Sequence, residues 1–227
     1  LAAENENFQK AAELKSEIKL REAIEKAKEV EDYQKAAELQ AELEGATDSK
    51  EKEFNLSTTK QSKGFVPPNP GNAVVYIVRP DNLMAYDYFH EDQFIGRFKK
   101  KGYLRYECKP GEHLFWASSE NKEFITTELE ADKVYVIRAT TTRSGVFIAH
   151  VAFRLVDQDD SKMLGKIINL VNKVEADIIS EDELRKQNKR LKGFIEQELF
   201  HYENETKHRY NFKHLAADGF IPADMLK

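Results

Sequence analysis

At 227 residues, with 41% hydrophobic and 33% charged residues and a net charge of −5, the chain has enough apolar material to bury a core, which excludes an intrinsically disordered or staple-dependent protein. Cys108 is the single cysteine, so an intrachain disulfide framework and an all-cysteine metal site are excluded. The charge is negative over the first 70 residues and close to neutral from 71 to 156, which excludes nucleic-acid binding by bulk electrostatics.

The first element is a repeat. Residues 2–18 align with 27–43 at an offset of 25, with ten of 17 positions identical; Asn7-Phe8-Gln9-Lys10-Ala11-Ala12-Glu13-Leu14 recurs as Asp32-Tyr33-Gln34-Lys35-Ala36-Ala37-Glu38-Leu39. A period of this length marks a supersecondary unit that buries its apolar face against a neighbour. Asn7 and Asp32 are good N-caps ahead of Ala-, Glu-, Lys- and Leu-rich runs, which predicts helices over 8–29 and 33–44 joined by a tight turn. The paired alanines let two antiparallel backbones approach closely, Phe8, Ile18, Tyr33 and Leu43 fill the space outside them, and Gly45 ends the unit. Leu1-Ala2-Ala3-Glu4 aligns with the end of the long helix, so the repeat is expected to extend upstream.

These residues resemble the UVR motif, the short helical hairpin of the UvrB and UvrC repair proteins and of some protease adaptors, with Lys15-Ser16 and Gln40-Ala41 standing where that family has Arg-Asp. The resemblance implies a hairpin over 1–45 that engages a protein through Phe8, Ala11, Ala12, Tyr33, Ala36 and Ala37. A charged hairpin used for packing or oligomerisation has the same pattern.

Residues 46–72 read as a linker, because a Ser/Thr-rich stretch is followed by Pro67, Pro68 and Pro70, which cannot continue a helix. Such a linker lets the hairpin move unless it packs down. From 73 to 156 short β-type runs alternate with turn residues, over 73–79, 83–89, 93–98, 103–108, 113–117, 124–130, 134–141 and 146–156, as in an all-β sandwich. Alternation in Tyr76-Ile77-Val78-Arg79 and Val134-Tyr135-Val136-Ile137-Arg138 predicts a buried face on each strand. Pro110-Gly111 suits a turn in which glycine supplies a positive φ.

The opening strand Val74-Val75-Tyr76-Ile77-Val78-Arg79-Pro80, the Phe94-Ile95-Gly96 strand, the Lys109-Pro110-Gly111-Glu112-His113 turn and the Lys133-Val134-Tyr135-Val136 strand resemble a bacterial family of exported proteins and lipoproteins, domain-of-unknown-function family 2846. That resemblance implies an envelope-facing β-sandwich over 73–156 with no established catalytic residues.

After Asp157-Gln158-Asp159-Asp160 the period becomes helical over 157–227. Met163, Leu164, Ile167, Ile168, Val171, Val174 and Ile178 share one face, and Ser180 with Glu183 forms a capping box for a second helix. That helix carries the stripe Leu184, Leu191, Phe194, Ile195, Leu199 and Tyr202, flanked by charges. Gly219-Phe220-Ile221-Pro222 breaks the helical region before a short tail. The two helices are expected to pack on the sandwich or on the hairpin.

No local nucleophile signature or glycine-rich phosphate loop occurs. Cys108 beside Tyr106 reads as a small buried hydrophobe, and His90, His113 and His150 as structural or surface histidines. His201, His208 and His214 lie seven and six residues apart, not at the spacing that places two ligands on one helix turn. Asp157, Asp159 and Asp160 lack the glycine and terminal glutamate of a calcium loop, and Glu181-Asp182-Glu183 suits a helix N-terminus. Arg97-Phe98-Lys99-Lys100-Lys101 with Tyr103, Arg105 and Tyr106 mixes cations with aromatics, and reads as a solvated turn between strands. The sequence therefore assigns no catalytic residue, no metal ligand and no cofactor.

The fold read from these patterns is α+β, a central antiparallel β-sandwich of seven or eight strands flanked by the N-terminal hairpin and two C-terminal amphipathic helices. The function that follows is that of a non-enzymatic exported accessory or scaffold protein of the bacterial cell envelope, periplasmic or outer-membrane-associated. It binds protein partners of an envelope complex and no nucleic acid, and meets the membrane only indirectly or through an anchor not in this chain. Two other readings are a cytoplasmic adaptor whose UVR-like hairpin engages a repair or protease machine, and a glycan- or ligand-binding sandwich using Tyr86, Tyr88, Phe89, Tyr103, Tyr106 and Trp116. Helical faces can pair within or between chains, so periodicity leaves the oligomeric state open.

Overall fold

Alternating apolar side chains in the middle of the chain form β1 (Ala73–Arg79), β2 (Tyr86–His90), β3 (Gln93–Phe98), β4 (Gly102–Cys108), β5 (Gly111–Ser118), β6 (Lys122–Leu129), β7 (Val134–Ser144) and β8 (Ile148–Leu155), to which a late strand, β9 (Lys213–Leu215), is added. The computed structural model describes residues 63–81, 85–98, 100–144, 148–156 and 158–226, which belong to one unit of the chain, Phe54–Lys227. The helices expected over 8–29 and 33–44, and with them Phe8, Ala11, Ala12, Tyr33, Ala36 and Ala37, lie outside the described residues.

The strands form a sheet of order β4-β1-β7-β8 and a second of order β3-β2-β5-β6-β9. Both are mixed: β1 runs parallel to β7, and β9 parallel to β6, while the other neighbours are antiparallel. This corrects the expectation of a wholly antiparallel assembly. Parallel neighbours need long crossovers; here strands β2 to β6 separate β1 from β7, and β7, β8 and the C-terminal helices separate β6 from β9.

Period-two alternation divides each strand between two environments. Val75 and Ile77 of β1, Tyr88 of β2, Tyr106 of β4, Phe115 of β5, Tyr135 of β7 and Phe153 of β8 join one apolar cluster shared by both sheets. The opposite faces are also covered. Val74, Tyr76, Val78, Tyr103 and Val136 pack against Leu164, Ile167, Leu170 and Val171 of α1 (Ser161–Lys173). Phe89, Phe94, Trp116 and Phe124 pack against Leu184 and Ile195 of α2 (Glu181–His201) and against Tyr202 just beyond it. Every residue of β1 and β4 is therefore buried, and each large apolar side chain so enclosed contributes about 1.5–3 kcal/mol relative to exposure.

The second helix starts at the Ser180 cap that the sequence places, and the first starts after Asp160, a cap that the structure adds. The Asp160 carboxylate accepts from the Met163 amide at 2.9 Å, and the Ser180 hydroxyl from the Glu183 amide at 3.3 Å. All six residues of the α2 stripe join the cluster on the outer face of the second sheet, one of the two packing partners expected for the helix. Past His201 the helix widens into a π-type turn, Tyr202–Thr206, and ends in α3 (Lys207–Arg209).

Two irregular segments complete the unit. Residues 63–72 lie over the sheet of β1 and β4. The Gly64 amide donates to the Val171 carbonyl at 3.0 Å, the Phe65 and Tyr76 rings are 4.6 Å apart, and the Val66 amide donates to the Tyr76 hydroxyl at 2.7 Å. The described end of the expected linker is thus packed down. At the other end, β9 pairs with β6, and the chain then crosses so that Ile221 donates its amide to the Val134 carbonyl at 2.8 Å and is buried against the α1 cluster.

Candidate functional site

A group of ionisable side chains, His90, Glu91 and His113, lies at one end of the space between the sheets. His90 ends β2 and faces inward like Tyr88 two residues before it. Its register partner on β5 is Phe115, so His113, two residues earlier on β5, is its diagonal neighbour on the same face. Tyr106 and Cys108 approach from β4 of the other sheet and are both 3% exposed.

Glu91 is placed by its backbone. It occupies the two-residue turn between β2 and β3 with φ of 49°, a left-handed conformation that costs a non-glycine residue on the order of 1 kcal/mol and persists only where neighbours fix it. Two neighbours do so here: the Glu91 amide donates to the Leu114 carbonyl at 2.8 Å, and the Trp116 indole donates to the Glu91 carbonyl at 2.8 Å. Trp116 is itself locked by stacking on Phe89, with ring centroids 3.8 Å apart. A register shift between Tyr88 and Phe89 lies just before the site, where a bulge re-aims the strand end.

The resulting geometry is a chain of polar contacts. Tyr106 Oη lies 2.8 Å from His90 Nδ1, His90 Nε2 lies 2.9 Å from His113 Nδ1, and His113 Nε2 lies 2.8 Å from the Lys109 carbonyl oxygen. A carbonyl only accepts, so His113 Nε2 carries its proton and donates. Glu91 Oε1 is 3.8 Å from His90 Nε2 and 3.5 Å from His113 Nδ1. Burial pulls the His113 imidazole down, but hydrogen bonding to the Cys108 thiol and the Glu91 carboxylate, with the Lys109 carbonyl, outweighs it and raises the ring to about 10. Burial pushes the Tyr106 phenol up, keeping it a neutral donor or acceptor.

By sequence pattern His90 and His113 are separate structural or surface residues; the structure brings them together with Glu91, which no motif marks. Tyr86, Tyr88, Phe89, Tyr103, Tyr106 and Trp116 are each between 0% and 3% exposed, so the six rings weighed for glycan stacking serve the interior instead. Cys108 is buried, as expected of a small hydrophobe, but stands against His113. His201 faces Glu205 and His214 pairs with Thr126; neither joins another histidine in a ligand cluster among the described residues. Arg97 is paired with Asp87 at 3.4 Å. Among the described residues, the large aromatic side chains that are exposed are Phe200, at 63%, and Tyr210, at 64%.

Comparison with protein-family models gives no match to this chain, and comparison with curated proteins gives none either.

Proposed function

We propose that the protein is a non-enzymatic accessory or scaffold protein of the cell envelope, built on a β-sandwich of the family 2846 type and binding a protein partner through its N-terminal UVR-like repeat. The observation that carries this reading is how the apolar stripes are distributed. Those of α1 and α2 are each committed to one outer sheet face, except that Ile178, expected on the first stripe, lies beyond α1 and is 45% exposed, and residues 63–72 are tied to the α1 side. The repeat brings a further set, Phe8, Ala11 and Ala12 with Tyr33, Ala36 and Ala37, suited to a helix-in-groove or helix-on-helix contact. In this reading the membrane is met through the partner or through an anchor outside this chain.

The test is the double substitution Ala12→Glu and Ala37→Glu in the full chain, with partner recovery followed by affinity purification and folding by thermal melting. Loss of the partner with an unchanged melt is the expected result. Unchanged recovery removes the repeat from the mechanism.

A further inference from the structure

We propose that His90, Glu91 and His113 bind a divalent metal ion of the zinc class, through His90 Nε2, His113 Nδ1 and Glu91 Oε1. This goes beyond the partner-binding reading and does not depend on it. The three atoms form a triangle with sides of 2.9, 3.5 and 3.8 Å. The circle through its corners has a radius of about 2 Å, and zinc bonds to imidazole nitrogen and carboxylate oxygen are about 2.0–2.2 Å long. An ion near the centre of that triangle therefore meets all three donors at bonding distance with little movement of the protein.

The surroundings are those that metal-binding histidines require. Such a ring is held by a hydrogen bond from its other nitrogen to a carbonyl, carboxylate or hydroxyl, which fixes its orientation and raises its basicity. His113 has the Lys109 carbonyl at Nε2, and His90 has the Tyr106 hydroxyl at Nδ1. With the ion bound, His90 carries its proton on Nδ1 and donates to Tyr106, freeing Nε2. The carboxylate is presented on a turn whose backbone is pinned from two sides. The Glu91 side chain is 52% exposed while those of His90 and His113 are 10% and 12% exposed, so a hydrated cation reaches the carboxylate first and sheds water onto the rings. Two imidazoles with one carboxylate suit zinc rather than magnesium or calcium, which prefer all-oxygen shells. A three-ligand set leaves a fourth position for water or an external donor. Cys108 lies against His113 but outside the three-atom group.

The full chain, stripped with chelator and dialysed against zinc, is expected to retain one equivalent by elemental analysis and to melt at a higher temperature than the stripped form. Glu91→Gln, which changes an exposed side chain, should weaken zinc binding in calorimetry by at least about tenfold. His113→Gln should abolish it together with the thermal shift, and Glu112→Gln, an exposed residue beside His113 in β5, should leave both intact. Cobalt substitution should give tetrahedral visible bands without a thiolate charge-transfer band. No zinc retained by the folded wild-type chain, or undiminished binding by Glu91→Gln and His113→Gln, would overturn the proposal. A cobalt–thiolate band would overturn this donor set in favour of one built on Cys108.

Discussion

Glu107 shows how one side chain ties an irregular segment to a sheet. Its Oε1 accepts from the Asn69 amide at 2.9 Å and the Asn72 side-chain amide at 2.8 Å, and its Oε2 from Arg105 at 2.9 Å. Arg105 also donates to the Pro67 carbonyl at 2.9 Å. Burial raises the Glu107 carboxyl, but these donors more than offset it, so its folded value lies below the ordinary 4.5. A carboxyl depressed on folding adds stability above its unfolded value and loses it as pH falls through the folded one. Stability should therefore drop on acidification below about pH 4.5, and Glu107→Gln should flatten that limb in urea melts taken across pH. An identical limb in the variant contradicts the assignment. Arg105→Met leaves a buried carboxylate without its cation and should cost about 3 kcal/mol, measured by the same melts. Nothing in the sequence announces this pair, because its partners Asn69 and Asn72 come from a proline-rich stretch that reads only as linker. His90 and His113 are hidden for a related reason: 23 residues separate them, and only the β2–β5 pairing, which periodicity does not reveal, makes them neighbours.

At the level of elements, the helices are the most legible part of the described chain. Asp160 and Ser180 are caps because short polar side chains satisfy the free amides of a first turn, and the i, i+3, i+4 pattern places Leu184, Leu191, Phe194, Ile195, Leu199 and Tyr202 on one face whatever that face meets. The partner of that face, the outer side of β2, β3, β5 and β6, is a tertiary fact. Leu184 is fully buried there, so Leu184→Ala should cost about 2–5 kcal/mol, whereas Ser180→Ala should cost about 1 kcal/mol; urea denaturation of the two variants checks the order. Equal costs would mean that α2 is held by its cap rather than by its packing. β9 escapes a periodicity search because three residues are too few to alternate convincingly, and its existence rests on the parallel pairing of Ile125, Thr126 and Thr127 with residues 213–215. The Gly111 turn is legible from its dipeptide alone, and its φ of 128° is the left-handed region that glycine tolerates.

On the scale of the whole molecule, two mixed sheets share one interior, a helix lies on each outer face, and the segments before β1 and after β9 both end on the α1 side. Alternation marks eight of the nine strands among the described residues and predicts one buried face on each, but the covering of the second face and the strand order depend on contacts distant in sequence, so the parallel β1–β7 pair cannot be read from local pattern. The functional account adds to this frame a helical repeat that meets a protein partner in the envelope. Purifying the tagged full chain from fractionated cells and identifying what accompanies it tests that role most directly. Recovery from the envelope fraction with a stoichiometric protein partner, lost in the Ala12→Glu, Ala37→Glu variant, is the expected result. Recovery from the cytosol with repair or protease subunits would contradict it and transfer the function to the UVR-like adaptor reading.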